Sequence, residues 1–388
     1  MLKEKILLGT SGWDYEDWVG PFYSSSEKKF STYTQIFRTV EVDSTFYSFP
    51  SSNFIRGLSR TVPKGFKFSA KLPKDITHKK LLDAKKGALD DLSRFLEILA
   101  PLENEDKLGA LLIQMPPKAK DELFENFSKF LGSLDVERYD FVVEFRDESW
   151  LSEEIFKMLK EYNIAYCIVD EPLLPPVIEV TGRIAYVRWH GRGSRPWYYY
   201  EYREDELREW VPRLNKIASE VEILYGYFNN HFRGYAPKNA LQMLKLLGSI
   251  DNMQERVLNQ ILDYFDKEYI RIIKEKGDET ILTGDINAML SLFIDKKRLE
   301  RALEEKDNVK IIESENNILA GTVKDYSFKI NLVERTIIHD CEDWRKRLST
   351  KQFCKHIGGV FLYLSKDDAA NILKDIITNI DKWKFLTW

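Results

Sequence analysis

Eight short apolar runs recur through the first part of the chain, and helix-like segments separate most of them. The runs are rich in β-branched and aromatic residues and apolar throughout, which is typical of strands buried on both faces of a parallel sheet. They are KILLGTS from Lys5, TVEVD from Thr39, FKFSAKL from Phe66, LGALLIQ from Leu108, YDFVVEF from Tyr139, AYCIVD from Ala165, IAYVRWHG from Ile184 and ILYGYFNN from Ile223. Eight strands in roughly 240 residues predict one (β/α)8 barrel.

Amphipathic segments between the runs predict the helices that connect successive strands. The clearest cover residues 82–100, 120–134, 152–162 and 205–219. A doubly wound open sheet is the competing arrangement, but it requires a reversal of strand order, and no Gly-rich dinucleotide or phosphate loop follows any run. We therefore predict an α/β fold in which a TIM-like barrel occupies residues 1–248.

The pattern changes after Gly248. Residues 251–276 carry an apolar stripe that predicts a long helix, and TGDINAMLSLF and LERALEEKD predict more helix. Alternating runs then predict strands at NVKIIES, NILAGTVKD and FKINLVERTII, and a last helix covers residues 365–383. Because 388 residues exceed the usual size of one domain, we predict a second, smaller α+β domain over residues 249–388.

Composition narrows the classes of partner. The chain has 58 Lys and Arg residues against 62 Asp and Glu, which excludes a uniformly basic surface for indiscriminate nucleic-acid binding. The opening MLKEKILLGTSGWDY has no signal-peptide pattern and no run is long enough for a membrane helix, so we expect a cytoplasmic protein without a membrane partner. Three cysteines do not form a secreted disulfide framework, and Cys167, inside an apolar run, is expected to be packed.

Two of these cysteines belong to a group with metal-ligand spacing. His339 and Cys341 form H-x-C, twelve residues follow, and Cys354 and His356 form C-x-H. Thiolates and imidazoles are the ligands that a tetrahedral structural zinc requires. The competing interpretation is two buried thiols beside two unrelated histidines.

Residues 329–363 resemble the SWIM zinc finger, whose pattern is C-x-C, a variable gap and C-x-H. The likeness includes Asp343-Trp344 after the first pair and the helix that Cys354 opens, but His339 stands where that family has a cysteine. The resemblance implies a module that binds nucleic acid or protein. From Arg345 to Lys355 there is no acidic residue. The basic residues of this stretch could contact a phosphate backbone or could form an ordinary solvated helix face. They are Arg345, Lys346, Arg347, Lys351 and Lys355.

The carboxyl ends of the barrel runs are unusually polar. Functional groups of (β/α)8 barrels lie at these ends, and charged side chains are seldom buried without partners. The candidate site residues are Asp14, Glu41, Asp43, Tyr47, Lys71, Glu144, Arg146, Asp170, Arg188, His190, Arg192, Asn229, Asn230 and His231. After them, Trp197 to Tyr200 form an aromatic run that could stack on a ligand or pack on the barrel.

Seven segments resemble, in order, the domain-of-unknown-function family 72, the YecE-like proteins. They are GTSGWDY, VEVDSTFYSFPS, FKFSAKLPKDITH, QMPP, FVVEFRDESW, YVRWHGRG and FNNHFRGYAPKNAL, between Gly9 and Leu244. The resemblance implies a (β/α)8 barrel. It implies no particular reaction, so the chemistry depends on the residues themselves.

Four cations at the predicted mouth, Lys71, Arg146, Arg188 and Arg192, suit a phosphate or carboxylate. One hypothesis is therefore a hydrolase or phosphodiesterase with an anionic, phosphate-containing substrate, which could be nucleic acid. In it, Glu144 or Asp170 is the general base and His190 or His231 the acid, and these residue types could also hold a second divalent metal.

Two alternatives stay open. The barrel could bind a phosphorylated ligand or nucleic-acid end without turnover, while the zinc module binds the partner. The set Glu41, Asp43, Lys71, Glu144 and Arg146 could instead be a structural ion-pair network.

Overall fold

A computed structural model describes residues 2–193, 196, 198–345, 347, 348 and 350–388. All eight predicted strands form, as β1 Ile6–Thr10, β2 Thr39–Val42, β3 Lys67–Lys71, β4 Leu108–Gln114, β5 Phe141–Glu144, β6 Ala165–Asp170, β7 Ile184–Trp189 and β8 Ile223–Phe228. They make one parallel sheet in which β1 pairs with β8, and a bridge between Ser11 and Glu41 joins β1 to β2. The predicted barrel is confirmed.

The barrel helices follow the strands. They are α1 Lys29–Ile36, α2 Ser52–Thr61, α3 Ala88–Glu103, α4 Lys120–Leu131, α5 Glu153–Glu161, α6 Glu204–Glu220 and α7 Tyr235–Leu246. Helix α3 begins six residues later than predicted, because Leu82 has a φ of 60° and Gly87, with a φ of 77°, precedes its first turn. Single helical turns occur at Leu2–Lys5, Glu16–Trp18, Asp43–Phe46, Asp75–Lys79, Ala84–Lys86, Glu148–Trp150 and Phe232–Gly234.

Alternate residues of each strand point into the barrel, because successive side chains of a strand lie on opposite faces. Cys167 and Val169 of β6 and Tyr186 of β7 belong to one buried cluster inside the barrel, together with Ala110, Leu112, Val142, Ala165, Tyr225 and Tyr227. This alternation decides which strand-end residues meet above the apolar interior: Glu144 and Arg188 continue the inward series, whereas Asp170 continues the outward one.

The chain divides into two compact units, Met1–Ile261 and Leu262–Trp388. The predicted boundary after Gly248 falls between α7 and a long helix, α8 Asn252–Thr283, which contains the junction. The other elements of the second unit are α9 Ile286–Leu290, α10 Lys296–Glu305, the turn Lys306–Asn308, β9 Val309–Glu315, β10 Ile318–Val323, β11 Tyr326–Asn331, β12 Thr336–His339, α11 Glu342–Arg345, α12 Lys355–Tyr363, α13 Lys366–Thr378 and β13 Lys384–Leu386. The predicted smaller α+β domain is confirmed.

The five strands of this unit form a mixed sheet in the order β13-β12-β11-β10-β9, in which only β12 and β13 are parallel. The run FKINLVERTII makes two strands rather than one. Asn331 Oδ1 accepts hydrogen bonds from the backbone N–H groups of Val333 and Glu334, and Arg335 has a φ of 51°, so the chain turns between β11 and β12. None of the helices in the described part of the chain is long and apolar enough to span a membrane.

Candidate functional site

A buried layer of charged side chains lies at the carboxyl ends of the barrel strands, and we call it the charged layer. Its members are Glu41, Asp43, Lys71, Glu144, Arg146, Glu171, Arg188 and His190, of which Asp43 and Arg146 are partly exposed and the others are buried. Arg188 joins two sides of the barrel: Nη2 donates to Glu41 Oε1 at 2.9 Å and Nη1 donates to Glu144 Oε2 at 2.7 Å. All three side chains are completely buried. The layer therefore depends on internal charge compensation.

Glu41 and Glu144 are each held by several donors. Glu41 also accepts from Ser11 Oγ at 2.5 Å and Tyr186 OH at 2.7 Å. Arg146 Nη2 lies 2.6 Å from Glu144 Oε1. Burial raises the pKa of Glu144, but the guanidinium groups of Arg146 and Arg188 outweigh burial and hold that pKa well below its ordinary value. Glu144 is therefore a carboxylate at neutral pH.

Three further ion pairs complete the layer. Lys71 Nζ contacts Asp43 and lies 3.7 Å from Glu41 Oε1. Arg146 Nη1 lies 3.1 Å from Glu171 Oε2. Burial raises the pKa of Glu171, Arg146 opposes this rise, and the charge of Glu144 adds to it, so the pKa of Glu171 is raised. Glu144 and Glu171 thus share one guanidinium but have pKa values shifted in opposite directions.

His190 is buried against this network and is neutral. Its Nε2 lies 3.2 Å from Glu144 Oε1, and its Nδ1 lies 2.9 Å from Asn229 Nδ2. Burial and the charges of Arg188 and Arg146 lower the pKa of His190 to about 3. At neutral pH His190 therefore has no proton to donate as an imidazolium, which the acid role predicted for it would require.

Aromatic side chains form the rim above the layer. The His231 ring stacks on Tyr15 with centroids 4.5 Å apart and on Tyr198 with centroids 4.7 Å apart. In the described part of the chain no side chain or backbone group hydrogen-bonds to the His231 ring nitrogens, and burial lowers its pKa. Tyr47 is 62% exposed, and Trp197 lies outside the described residues. Among the described residues, His231 is thus the histidine of the mouth whose ring nitrogens have no hydrogen-bond partner.

The structure does not bring all candidate residues into this layer. Asp170 points toward α6, where it accepts from Trp210 Nε1 at 2.7 Å and from Arg192 Nη2 at 2.8 Å. Asn230 donates to Tyr200 O and Asn239 Oδ1, both at 2.8 Å. Asp14 is exposed on the loop after β1 and pairs with Lys29, the first residue of α1. The outward register of β6 and β8 explains Asp170 and Asn230.

The predicted mouth carries an excess of cations, whereas the charged layer contains more carboxyl groups than cations. Lys71, Arg146 and Arg188 face four carboxylates, those of Glu41, Asp43, Glu144 and Glu171, and Arg192 is paired outside. An anionic ligand must therefore exchange with a carboxylate. Cations lie between these carboxylates, and within the described ranges only the second unit gathers three or more metal-ligand side chains, so the structure gives no support for a second metal in the barrel.

The second unit contains the predicted metal-ligand group. One ligand atom from each of His339, Cys341, Cys354 and His356 lies within 4.8 Å of all the others, and the four residues are buried. His339 ends β12, Cys341 precedes α11, and Cys354 caps α12, whose first turn carries His356. A strand end and a helix start thus bring both pairs together.

Hydrogen bonds around this group leave its inner atoms available for an ion. His339 Nδ1 bonds to Ser327 O at 2.7 Å, whereas His339 Nε2 and His356 Nδ1 are buried and have no hydrogen-bond partner among the residues that the structure describes. The Cys341 and Cys354 sulfurs accept backbone N–H groups at 3.3 and 3.5 Å. The hydrogen bond from Cys354 lowers the pKa of Cys341, whereas burial and then the interaction with Cys341 raise the pKa of Cys354. A cation is therefore needed for both sulfurs to be thiolates. The residues therefore fit a bound metal.

The basic residues of this segment already have partners. Lys355 Nζ lies 2.6 Å from Glu305 Oε1, and Lys351 Nζ donates to Ile380 O at 2.6 Å. Arg347 pairs with Asp343 at 2.9 Å, and Arg345 Nε contacts Thr387 Oγ1 at 3.3 Å. Lys346 lies outside the described residues. Glu305 and Asp343 thus compensate part of the positive charge of these basic residues. The nucleic-acid contact stays a prediction.

Sequence reasoning missed three members or supports of the charged layer. Tyr186 and Ser11 support Glu41. Tyr186 lies two residues before Arg188, and Ser11 directly follows the last residue of β1. Counting in steps of two along β7 would have found Tyr186. Glu171 follows β6 and continues the inward series of Cys167 and Val169, so the same counting along β6 would have distinguished it from Asp170.

Comparisons with known proteins concern the first unit. The chain is 29% identical over 275 residues to the UPF0759 protein YunF of Bacillus subtilis, covering 62% of this chain and 94% of that protein. The crystal structure of a DUF72 family protein from Thermotoga maritima has 32% sequence identity and a TM-score of 0.56, covering 63% of this chain and 99% of that one. A DUF72 family protein from Enterococcus faecalis has 25% identity and a TM-score of 0.52, covering 63% and 97%. A family described as protein of unknown function DUF72 matches residues 7–260, and the chain belongs to this family.

Proposed function

We propose that the charged layer and its rim form the active site of a hydrolase that acts on phosphate-containing substrates, with nucleic acid among the candidates. One observation carries the proposal: four carboxylates and three cations converge in a buried layer at the carboxyl ends of the strands. Removing so many charges from water is unfavourable. Functional groups of barrels of this type lie at this face, which favours a catalytic reason for the layer.

The side chains of the charged layer differ in how far they are exposed to solvent. Glu41, Glu144 and Arg188 are completely buried and position the rest, whereas the Arg146 side chain is 19% exposed and its Nε has no partner among the described residues. In the proposed reaction Arg146 and Lys71 bind the phosphate, which displaces a carboxylate from each. His231, neutral at pH 7 because burial lowers its pKa, accepts a proton from the attacking water.

A cleavage assay tests the proposal. Purified protein is incubated with single-stranded, duplex and abasic DNA and with RNA, and products are resolved by denaturing electrophoresis. We expect cleavage of at least one substrate and a loss of about 10²- to 10⁴-fold in His231→Asn. Glu144→Gln should also lose activity, whereas Glu154→Gln, which changes an exposed carboxylate on α5, should not. Wild-type protein that cleaves none of the substrates contradicts the proposal.

A binding module without turnover is the second candidate. It is favoured by the aromatic rings at the rim, where Tyr47 is 62% exposed and Tyr198 stacks on His231. Such rings hold bases or sugars by stacking. Gel-shift binding of the same panel without cleavage, weakened in Tyr47→Ala, would favour this function over the hydrolase.

We also propose that the group of the second unit holds a structural zinc. Its two thiolates and two imidazoles match the ligand set of closed zinc sites. Metal analysis should find one zinc per chain, lost in Cys341→Ser and kept in Cys167→Ala, which changes the buried barrel cysteine. Wild-type protein without stoichiometric zinc contradicts this assignment. The SWIM resemblance predicts nucleic acid or protein as the partner of this module.

A further inference from the structure

Glu171 differs from the other buried carboxylates of the charged layer in how few donors reach it. Glu41 accepts from Ser11, Tyr186 and Arg188, and Glu144 contacts Arg146, Arg188 and His190. Glu171, with a side chain only 2% exposed, has a single described partner, Arg146 Nη1 at 3.1 Å. Two carboxylates therefore share one guanidinium, and the second of them is incompletely compensated.

The surroundings of Glu171 favour its protonated form. The charged groups that face it are Arg146 and Glu144 from the β5 end and Arg188 from β7, and Tyr166 of β6 lies close enough to interact with it. Burial and Glu144 raise the pKa of Glu171, while Arg146 and Arg188 lower it by less. When the surroundings shift the pKa values of two neighbouring carboxyl groups in opposite directions, the group with the raised pKa usually acts as the acid and its partner stays charged.

We infer that Glu171 is the proton donor of the barrel site, an inference that rests on the proposed hydrolase. In the step, the water oxygen forms a bond to phosphorus as the bond from phosphorus to the leaving oxygen breaks. The electron pair of the broken bond stays on the leaving oxygen, which takes the proton of Glu171. One water proton goes to His231, which releases it to solvent, and Glu171 takes a proton back from solvent.

The neighbouring Asp170 provides a contrast within the same strand end. It accepts from Trp210 and Arg192 and faces α6, away from the mouth. Asp170→Asn makes the same replacement of a carboxyl group by an amide one residue away, outside the mouth. It is therefore the matched control for Glu171→Gln, which keeps an oxygen acceptor for Arg146.

Leaving-group dependence separates a proton donor from a structural residue. Bis(4-nitrophenyl) phosphate releases a stable anion and needs no proton, whereas the dinucleotide thymidylyl-thymidine releases an alkoxide that does. We expect Glu171→Gln to cleave the dinucleotide at least about 10²-fold more slowly than wild type and the nitrophenyl ester at a nearly unchanged rate. Asp170→Asn should affect both substrates equally. An equal loss on both substrates in Glu171→Gln overturns the inference.

A direct titration provides a second readout that needs no substrate. In protein labelled with ¹³C at the glutamate carboxyl, wild type should show one carboxyl that titrates above the ordinary value of about 4.3, and Glu171→Gln should lack this signal. Absence of the signal in wild type overturns the inference. If wild type cleaves neither substrate, the proposed hydrolase fails, and the titration alone then decides whether Glu171 holds the proton.

Discussion

Replacing Arg188 by methionine tests whether the charged layer is held by its central guanidinium. Met fills a similar volume but leaves Glu41 and Glu144 without the hydrogen bonds at 2.9 and 2.7 Å. Two charge-assisted bonds at about 1.5–3 kcal/mol each give a loss of about 3–6 kcal/mol. This agrees with the 3–5 kcal/mol expected when one partner of a buried ion pair is removed. We therefore expect Arg188→Met to lower the free energy of unfolding of the barrel by about 4 kcal/mol.

Urea unfolding followed by tryptophan fluorescence measures this change. Arg183→Met is the matched control, because Arg183 pairs with Asp140 at 2.7 Å on the surface, where such a pair contributes only about 0–1 kcal/mol. Equal effects of the two substitutions, or a change below 1 kcal/mol for Arg188→Met at pH 7, would refute the reasoning. Either result would mean that Lys71, Arg146 and the hydroxyl groups already compensate the carboxylates.

The pH dependence of this change has a defined sign. The pKa of Glu144 in the folded protein lies well below its ordinary value, so its contribution to stability is present above about pH 4.3 and is lost as pH falls through the folded pKa. Removing Arg188 raises that pKa. The difference between wild type and Arg188→Met should therefore be largest near neutral pH and should decrease toward pH 4.

Three further changes have expected outcomes. A strong chelator should lower the unfolding midpoint of the second unit, followed by circular dichroism, and added zinc should restore it; an unchanged midpoint would contradict a structural metal. Gly321→Ala should destabilise that unit by more than 1 kcal/mol in urea unfolding, because a Cβ there would lie 2.1 Å from Lys310 O, whereas Gly57→Ala, in open space on α2, should not destabilise the protein. Trp210→Phe should lower the thermal midpoint, because it removes the 2.7 Å bond to the buried Asp170, and a midpoint equal to wild type would contradict this role.

The barrel could be predicted because its strands are defined by local composition. Each run is apolar on both faces, so eight boundaries could be placed without knowing which strands pair. The element boundaries that were predicted wrongly depend on local backbone geometry. The late start of α3 depends on Leu82 in the left-handed region, and the break between β11 and β12 depends on hydrogen bonds of Asn331. Neither changes the periodicity of hydrophobic positions, so neither could be found from it.

The site could be predicted only to the level of strand ends. Sequence position locates Asp170 and Glu171 at the same end of β6, and alternation places them on opposite faces. Only the closed barrel brings Trp210 to the first and Arg146 to the second. Charge compensation is equally hidden, because Arg188 is 147 positions from Glu41. The metal ligands were easier, since two short pairs with metal-ligand spacing carry their own signal.

One electrostatic rule explains both sites. A buried charge must be compensated nearby, and the barrel does this with its own cations, so that Glu41 and Glu144 are each paired with Arg188. In the second unit, the sulfurs of Cys341 and Cys354 each accept one backbone N–H group, and the cations of that segment pair with Glu305, Asp343 and backbone carbonyls instead. Compensation of two thiolates there requires a dication, whereas the barrel layer requires none. For this reason we propose a metal site in the second unit and proton-transfer chemistry in the first.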